Sequence, residues 1–120
     1  MNNQMQIFSN DIFGNIRTTI INNEPWFVGK DITNILGYQN GSRDINRHVD
    51  DEDKLTERIV MSGQNREVTF INESGLYSLI LSSKMPNAKK FKRWVTSEVL
   101  PTIRRTGGYI PISSNEDELT

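Results

Sequence analysis

Residues 88–105, AKKFKRWVTSEVLPTIRR, carry the period of a helix with two unlike sides. On a helical wheel Ala88, Phe91, Val95, Val99 and Ile103 gather on one face, while Lys89, Lys90, Arg93, Arg104 and Arg105 spread over the opposite one. The apolar face demands a core to cover it, and the basic face demands water or a polyanion. Everything upstream must therefore supply a surface on which this helix can lie. Pro101 interrupts the pattern, because it removes a hydrogen bond to the Ser97 carbonyl and clashes with it, at about 3 kcal/mol in a helix interior. A kink or restart is expected near Leu100, followed by a short terminal turn that carries Arg104 and Arg105 and stops at Gly107-Gly108.

Before that helix, the chain alternates strand and helix signals. Met5–Phe8 is a short candidate strand, and Ile16–Ile21 is rich in β-branched residues. The cluster Asn22-Asn23-Glu24-Pro25 reads as a turn, with Trp26–Val28 returning as the second strand of a hairpin. Val28, Ile32, Ile35 and Leu36 then recur at helical spacing, and Gly37 stands where a helix commonly ends. Ser42 is the expected N-cap of a second short helix that buries Ile45 and Val49. Leu55–Met61 and Arg66–Ile71 read as two strands joined by Ser62-Gly63-Gln64-Asn65. Asn72 can cap a further helix with Leu76, Leu79 and Ile80 as its stripe, and Gly75 inside it marks close packing. Lys84–Asn87 separates that helix from the long basic one.

The expected architecture is α+β: two β-hairpins forming a small antiparallel or mixed sheet, with helices on one face. The expected core comprises Trp26, Phe27, Leu36, Phe70, Leu76, Leu79, Phe91, Trp94, Val95 and Val99. Trp94 lies off the main stripe of its helix, so the alternative is that it faces a second protomer in a homo-oligomer. With 120 residues the chain is one domain's worth, assigned to residues 1–109, with 110–120 as a linker or tail towards a further domain.

Charge narrows function. The net charge is only −1, yet from Lys84 to Arg105 seven cations (Lys84, Lys89, Lys90, Lys92, Arg93, Arg104, Arg105) face the single acid Glu98, a local +6. The acids collect in Asp50–Asp53 and in Glu116-Asp117-Glu118. Local charge governs polyanion binding, so DNA is the first partner to consider, with Lys89, Lys90, Arg93, Arg104 and Arg105 of the basic face as the expected contacts. Helix, glycine turn and helix over residues 28–49 also outline a helix-turn-helix, with Arg43, Asn46 and Arg47 able to read base edges. Such outlines are common, and the plainer alternative is two helices packed on a sheet with their arginines in water.

Other chemistries find few parts. There is no cysteine and one histidine, His48, so no disulfide framework, thiolate metal site or Cys-His nucleophile can be built within one chain. Asp50–Asp53 lacks the alternating ligand spacing of a calcium loop. Ser74 lacks the first glycine of a nucleophile elbow. The expectation is a binding module, not an enzyme, with no cofactor and no metal; the alternatives to DNA are a protein partner, or an oligomerisation scaffold whose basic face is merely solvated. No apolar run approaches a membrane span and the N-terminus has no signal profile, which makes the cytosol the default compartment.

Four blocks then carry a resemblance: WFVGKDITNILGY (26–38), DEDK (51–54), FINESGLYSLILSSK (70–84) and FKRWVTSEVLPTIRRTGGY (91–109). Together, in order and spacing, they resemble the BRO-N domain found at the N-terminus of phage antirepressors and baculovirus BRO proteins, over roughly residues 6–109. The resemblance implies a DNA-binding regulatory module, tied in phages to the switch from lysogeny to lytic growth in the host cytoplasm, with a separate C-terminal domain. It leaves open whether the direct partner is DNA or a phage repressor protein. Trp26, Gly37, Tyr38, Gly75, Leu76, Trp94 and Pro101 look structural within it.

Overall fold

Asn22 and Asn23 adopt positive φ, 52° and 66°, and make a two-residue turn between strands β2 (Gly14–Ile21) and β3 (Glu24–Val28). Such a turn twists with its flanking strands, so the ladder runs right up to it. Glu24 and Pro25, expected in the turn, are therefore strand residues paired with Ile21 and Ile20. Ser62 (φ 52°) and Gly63 (φ 78°) do the same between β4 (Lys54–Met61) and β5 (Gln64–Asn72), so Gln64 and Asn65 also leave the expected loop for the strand. A third hairpin links β1 (Gln6–Asn10) to β2, its turn held by Asn10 Oδ1 accepting from the Ile12 and Phe13 amides. The computed structural model describes residues 5–106 and contains one five-stranded antiparallel sheet in the order β1-β2-β3-β5-β4. The expected stop at Gly107-Gly108 and the linker 110–120 lie outside the described residues.

The helices are α1 (Gly29–Ile35), α2 (Gly41–His48), α3 (Glu73–Ser82), α4 (Ala88–Trp94) and α5 (Leu100–Thr106). Gly37 closes the first helix at φ 79°. Asp31 on α1 accepts three hydrogen bonds from Arg17, at 2.9 Å from its amide, 2.9 Å from Nε and 2.7 Å from Nη2, which pins α1 to β2. The α2 cap is Asn40 and not Ser42: Asn40 Oδ1 accepts from the Arg43 amide (3.0 Å) and Asp44 Oδ2 accepts from the Asn40 amide (3.1 Å). That reciprocal pair satisfies two otherwise orphan donors, which a lone Ser42 could not. Asn72 caps α3 as expected, accepting from the Gly75 amide at 2.9 Å.

Pro101 is accommodated by one π-helical turn, Val95–Val99, between α4 and α5. The Leu100 amide donates to the Val95 carbonyl, widening the coil just before the proline ring. Thr96 and Ser97 hydroxyls donate to the Lys92 and Arg93 carbonyls at 3.0 and 2.6 Å. The helix restarts at Leu100, as the sequence leads one to expect.

Strand alternation divides the core in two. Ile16, Phe27 and Ile71 face the helices and meet Ile32, Leu76, Phe91, Val95, Val99 and Ile103. Trp26, Val28, Val68 and Phe70 form a smaller cluster on the opposite face, so Trp26 and Phe70 are core residues but not of the helical layer. Trp94 does not wait for a second protomer. It is 9 % exposed and stacks on Phe13, ring centroids 5.9 Å apart, so the residue that suggested an oligomer is satisfied within the chain.

Gly75 sits where a Cβ would lie 2.9 Å from Val49 Cγ1, 3.2 Å from the Asp53 carbonyl oxygen and 3.2 Å from Ile71 Cβ. Alanine gains roughly 1 kcal/mol in helix propensity, but overpacking against backbone costs about 1–3 kcal/mol. Gly75→Ala should therefore lower the urea midpoint; a raised midpoint would mean that these neighbours yield without cost.

Candidate nucleic-acid interface

The segment after α3 is fastened to the connection after α1. Tyr38 Oη donates to the Leu79 carbonyl (2.7 Å), and Ser83 Oγ donates to the Leu36 carbonyl (3.0 Å). Met85 packs against Gly37, where an added Cβ would lie 2.6 Å from the Met85 sulfur. These contacts bring Lys84 beside Arg43, Arg47 and His48 of α2, around a depression of about 460 Å³. Met85 also lines a second depression, about 790 Å³, between the end of α3 and the start of α4. Tyr77, Leu81, Lys89 and Lys92 line it too. One side of the molecule thus joins two cation-bearing hollows at Met85.

Most of the cations there are without an ion-pair partner, although Asp44 also lines the smaller hollow. Among the described residues, Arg47, Lys84, Lys89, Lys90, Lys92 and Arg93 are in no ion pair, and Arg43 has only a 4.0 Å approach to Asp44. All but Arg47 and Arg43 come from the stretch 84–93, and Lys90 and Arg93 are exposed on α4 outside either hollow. A surface of this kind attracts phosphates, because most of its cations have no ion-pair partner among the described residues.

Three of the eight site residues expected from sequence stand apart. Asn46 Oδ1 accepts from Lys54 Nζ at 2.8 Å, beside Asp51, so its acceptor is engaged. Arg104 pairs with Glu73 at 3.1 Å, at the opposite end of α3 from Lys84. Arg105 Nη2 lies 3.4 Å from Thr102 on its own helix. Conversely, Lys84 and Lys92 belong to the hollows although sequence reasoning left them out of the site. Lys92 follows Lys89 by three residues and so shares its flank, a legible signal; the position of Lys84 depends on Tyr38 and Ser83, and is not. Among the described residues no group of three or more His, Asp or Glu is placed to hold a metal, and no helix is long and apolar enough to cross a membrane. Asp53, from the acidic run, accepts instead from Asn72 Nδ2 at 3.1 Å.

Two phenols border this surface. Tyr38 is held above its ordinary pKa by burial and then by the Asp44 charge; Tyr77 is raised by burial and then by Glu73. The folded state keeps these protons to higher pH than the unfolded chain does. Their stabilisation is therefore complete below the ordinary tyrosine value of about 10 and is lost as pH rises beyond it. Urea midpoints measured across that range should fall, and less steeply in Tyr38→Phe and Tyr77→Phe; an equal fall in both variants would remove the phenols as its cause.

Residues 15–101 match the family model described as the BRO family, N-terminal domain. The chain is similar to an uncharacterized protein of Haemophilus influenzae, 39% identical over 112 residues, which cover 91% of this chain and 55% of the relative. It is similar to the putative Bro-N domain-containing protein 289L of Invertebrate iridescent virus 6, 37% identical over 103 residues, covering 71% of this chain and 25% of that protein. Bro-N domain-containing protein ORF2 of Autographa californica nuclear polyhedrosis virus is 32% identical over 108 residues, covering 77% of this chain and 33% of its own length. The matched part thus amounts to about half of the bacterial relative and a quarter to a third of these viral ones. No solved structure matches the chain. The family match takes in β2 to β5, every helix up to the start of α5, and both hollows that meet at Met85; the chain belongs to the BRO family, whose N-terminal domain it carries.

Proposed function

We propose that this chain is the nucleic-acid-contacting module of an antirepressor-type regulator, acting on DNA in the host cytoplasm at the switch between lysogenic and lytic growth. It works by binding and performs no catalytic step. The observation that supports the reading is the contiguous set of cations in no ion pair among the described residues, Arg47, Lys84, Lys89 and Lys92, with Arg43 beside them, 4.0 Å from Asp44. In this reading the lysines contact phosphates and position the domain. Helix α2 (Gly41–His48) presents Arg43 and Arg47, and a helix about 10–12 Å across with its side chains is what the roughly 12 Å wide major groove admits.

The test is binding to a labelled duplex as a function of salt. About seven phosphate contacts, from those five cations with Lys90 and Arg93 on α4, predict a slope of log K against log[salt] near −6.3, a loss of several-thousandfold between roughly 50 and 200 mM. Salt-independent binding, or none at micromolar protein, would contradict it. A second reading, capture of a repressor protein, draws support from Leu81 and Met85, which are 88% and 43% exposed beside the lysines. It predicts a stoichiometric complex with the repressor that added DNA does not dissolve.

A further inference from the structure

The hollow between α3 and α4 has apolar surface that a phosphate backbone leaves unused. Leu81 and Met85 are exposed there, and Pro86 is exposed between Met85 and the start of α4. Among the described residues its charged lining consists of Lys89 and Lys92, with no acid. The Lys92 ammonium is held over the Tyr77 ring, 5.9 Å from its centroid. A ligand that matches both halves of this lining carries carboxylates next to an aliphatic side chain.

The chain contains such a segment, Glu116-Asp117-Glu118-Leu119, which lies outside the described residues. It can reach. From Lys92 to Thr106 the helix covers about 21 Å at 1.5 Å per residue, and residues 107–115 span up to about 30 Å when extended. We infer that the hollow is the docking site of this chain's own Glu116–Leu119, with Leu119 against Leu81 and Met85 and the carboxylates on Lys89 and Lys92. Tethering makes the contact effective even where each part is weak, since a short linker sets an effective concentration of order millimolar. Occupied in this way, Lys89 and Lys92 are withdrawn from any other anion, phosphate included. The docking itself is independent of the nucleic-acid reading, and the experiment below contains no DNA, so the two fail separately.

Because the chain has no cysteine, Ser114→Cys accepts a nitroxide at one defined place. In dilute labelled protein the amide signals of Leu81, Met85, Lys89 and Lys92 should be broadened selectively. Broadening should fade at about 1 M salt, where the screening length is about 3 Å. It should also be lost when Glu116→Gln, Asp117→Asn, Glu118→Gln and Leu119→Ser are added to the labelled chain. Leu81→Ser, at a side chain already in water, should weaken it at the lysines. Broadening absent from the hollow, equal at the tip of the β4–β5 hairpin, or surviving the four substitutions would overturn the proposal. So would broadening seen only between molecules when labelled and isotope-enriched chains are mixed.

Discussion

Replacing Phe91 by alanine should destabilise the domain by about 3–5 kcal/mol. Phe91 is fully buried, its ring edge-on to Phe13 at 5.3 Å and tilted against Trp94 at 6.0 Å. Phe13 belongs to the β1–β2 turn, so this trio clamps α4 to the sheet. Alanine would lose the transfer energy of the ring and leave a cavity between elements that cannot close on it. Against a total stability of about 5–15 kcal/mol, the loss is a large share. Urea denaturation would read it directly. As the contrast, Lys90→Ala on the exposed face of the same helix should stay within about 0.5 kcal/mol. A Phe91→Ala cost below about 1 kcal/mol would show that the clamp is not where the helix is held.

The second large effect is electrostatic. Changing Lys89, Lys90 and Arg93 together to alanine should flatten the salt dependence of DNA binding by roughly two to three units, at about 0.9 per phosphate contact. Folding stability should barely move, because all three are exposed, in no ion pair among the described residues, and replaced by the best helix former. Arg104→Ala is the internal control. Arg104 already pairs with Glu73 at the far end of α3, so its loss should cost at most about 1 kcal/mol of stability. It should leave the slope almost unchanged. An unaltered slope in the triple variant would remove α4 from the contact surface.

Much of this was legible from local pattern. The stripe Phe91, Val95, Val99 and Ile103 needed only the helical period, and Gly37, Asn72 and Gly75 announced a helix end, a cap and a close approach. Short-range competition set the limits. Asn40 rather than Ser42 caps α2 because Asp44 answers it, and the two hairpin turns tighten because Asn22, Asn23 and Ser62 accept positive φ. Long-range contacts were out of reach of periodicity altogether. Trp94 is covered by Phe13, Arg104 meets Glu73 31 positions away, and Lys84 joins Arg43 because Tyr38 bonds to Leu79 across 41 positions. For the same reason, a basic stripe that looks continuous in one dimension divides in two: the 84–93 cations join α2, while Arg104 and Arg105 do not.

The most direct measurement is the map of amide shifts when duplex DNA is titrated into the isotope-labelled chain. Changes concentrated at residues 43–48 and 84–93, with the two hollows moving together, are the predicted result. Changes centred on the β4–β5 hairpin or around Glu73 and Arg104, with Lys84, Lys89 and Lys92 still, would contradict it.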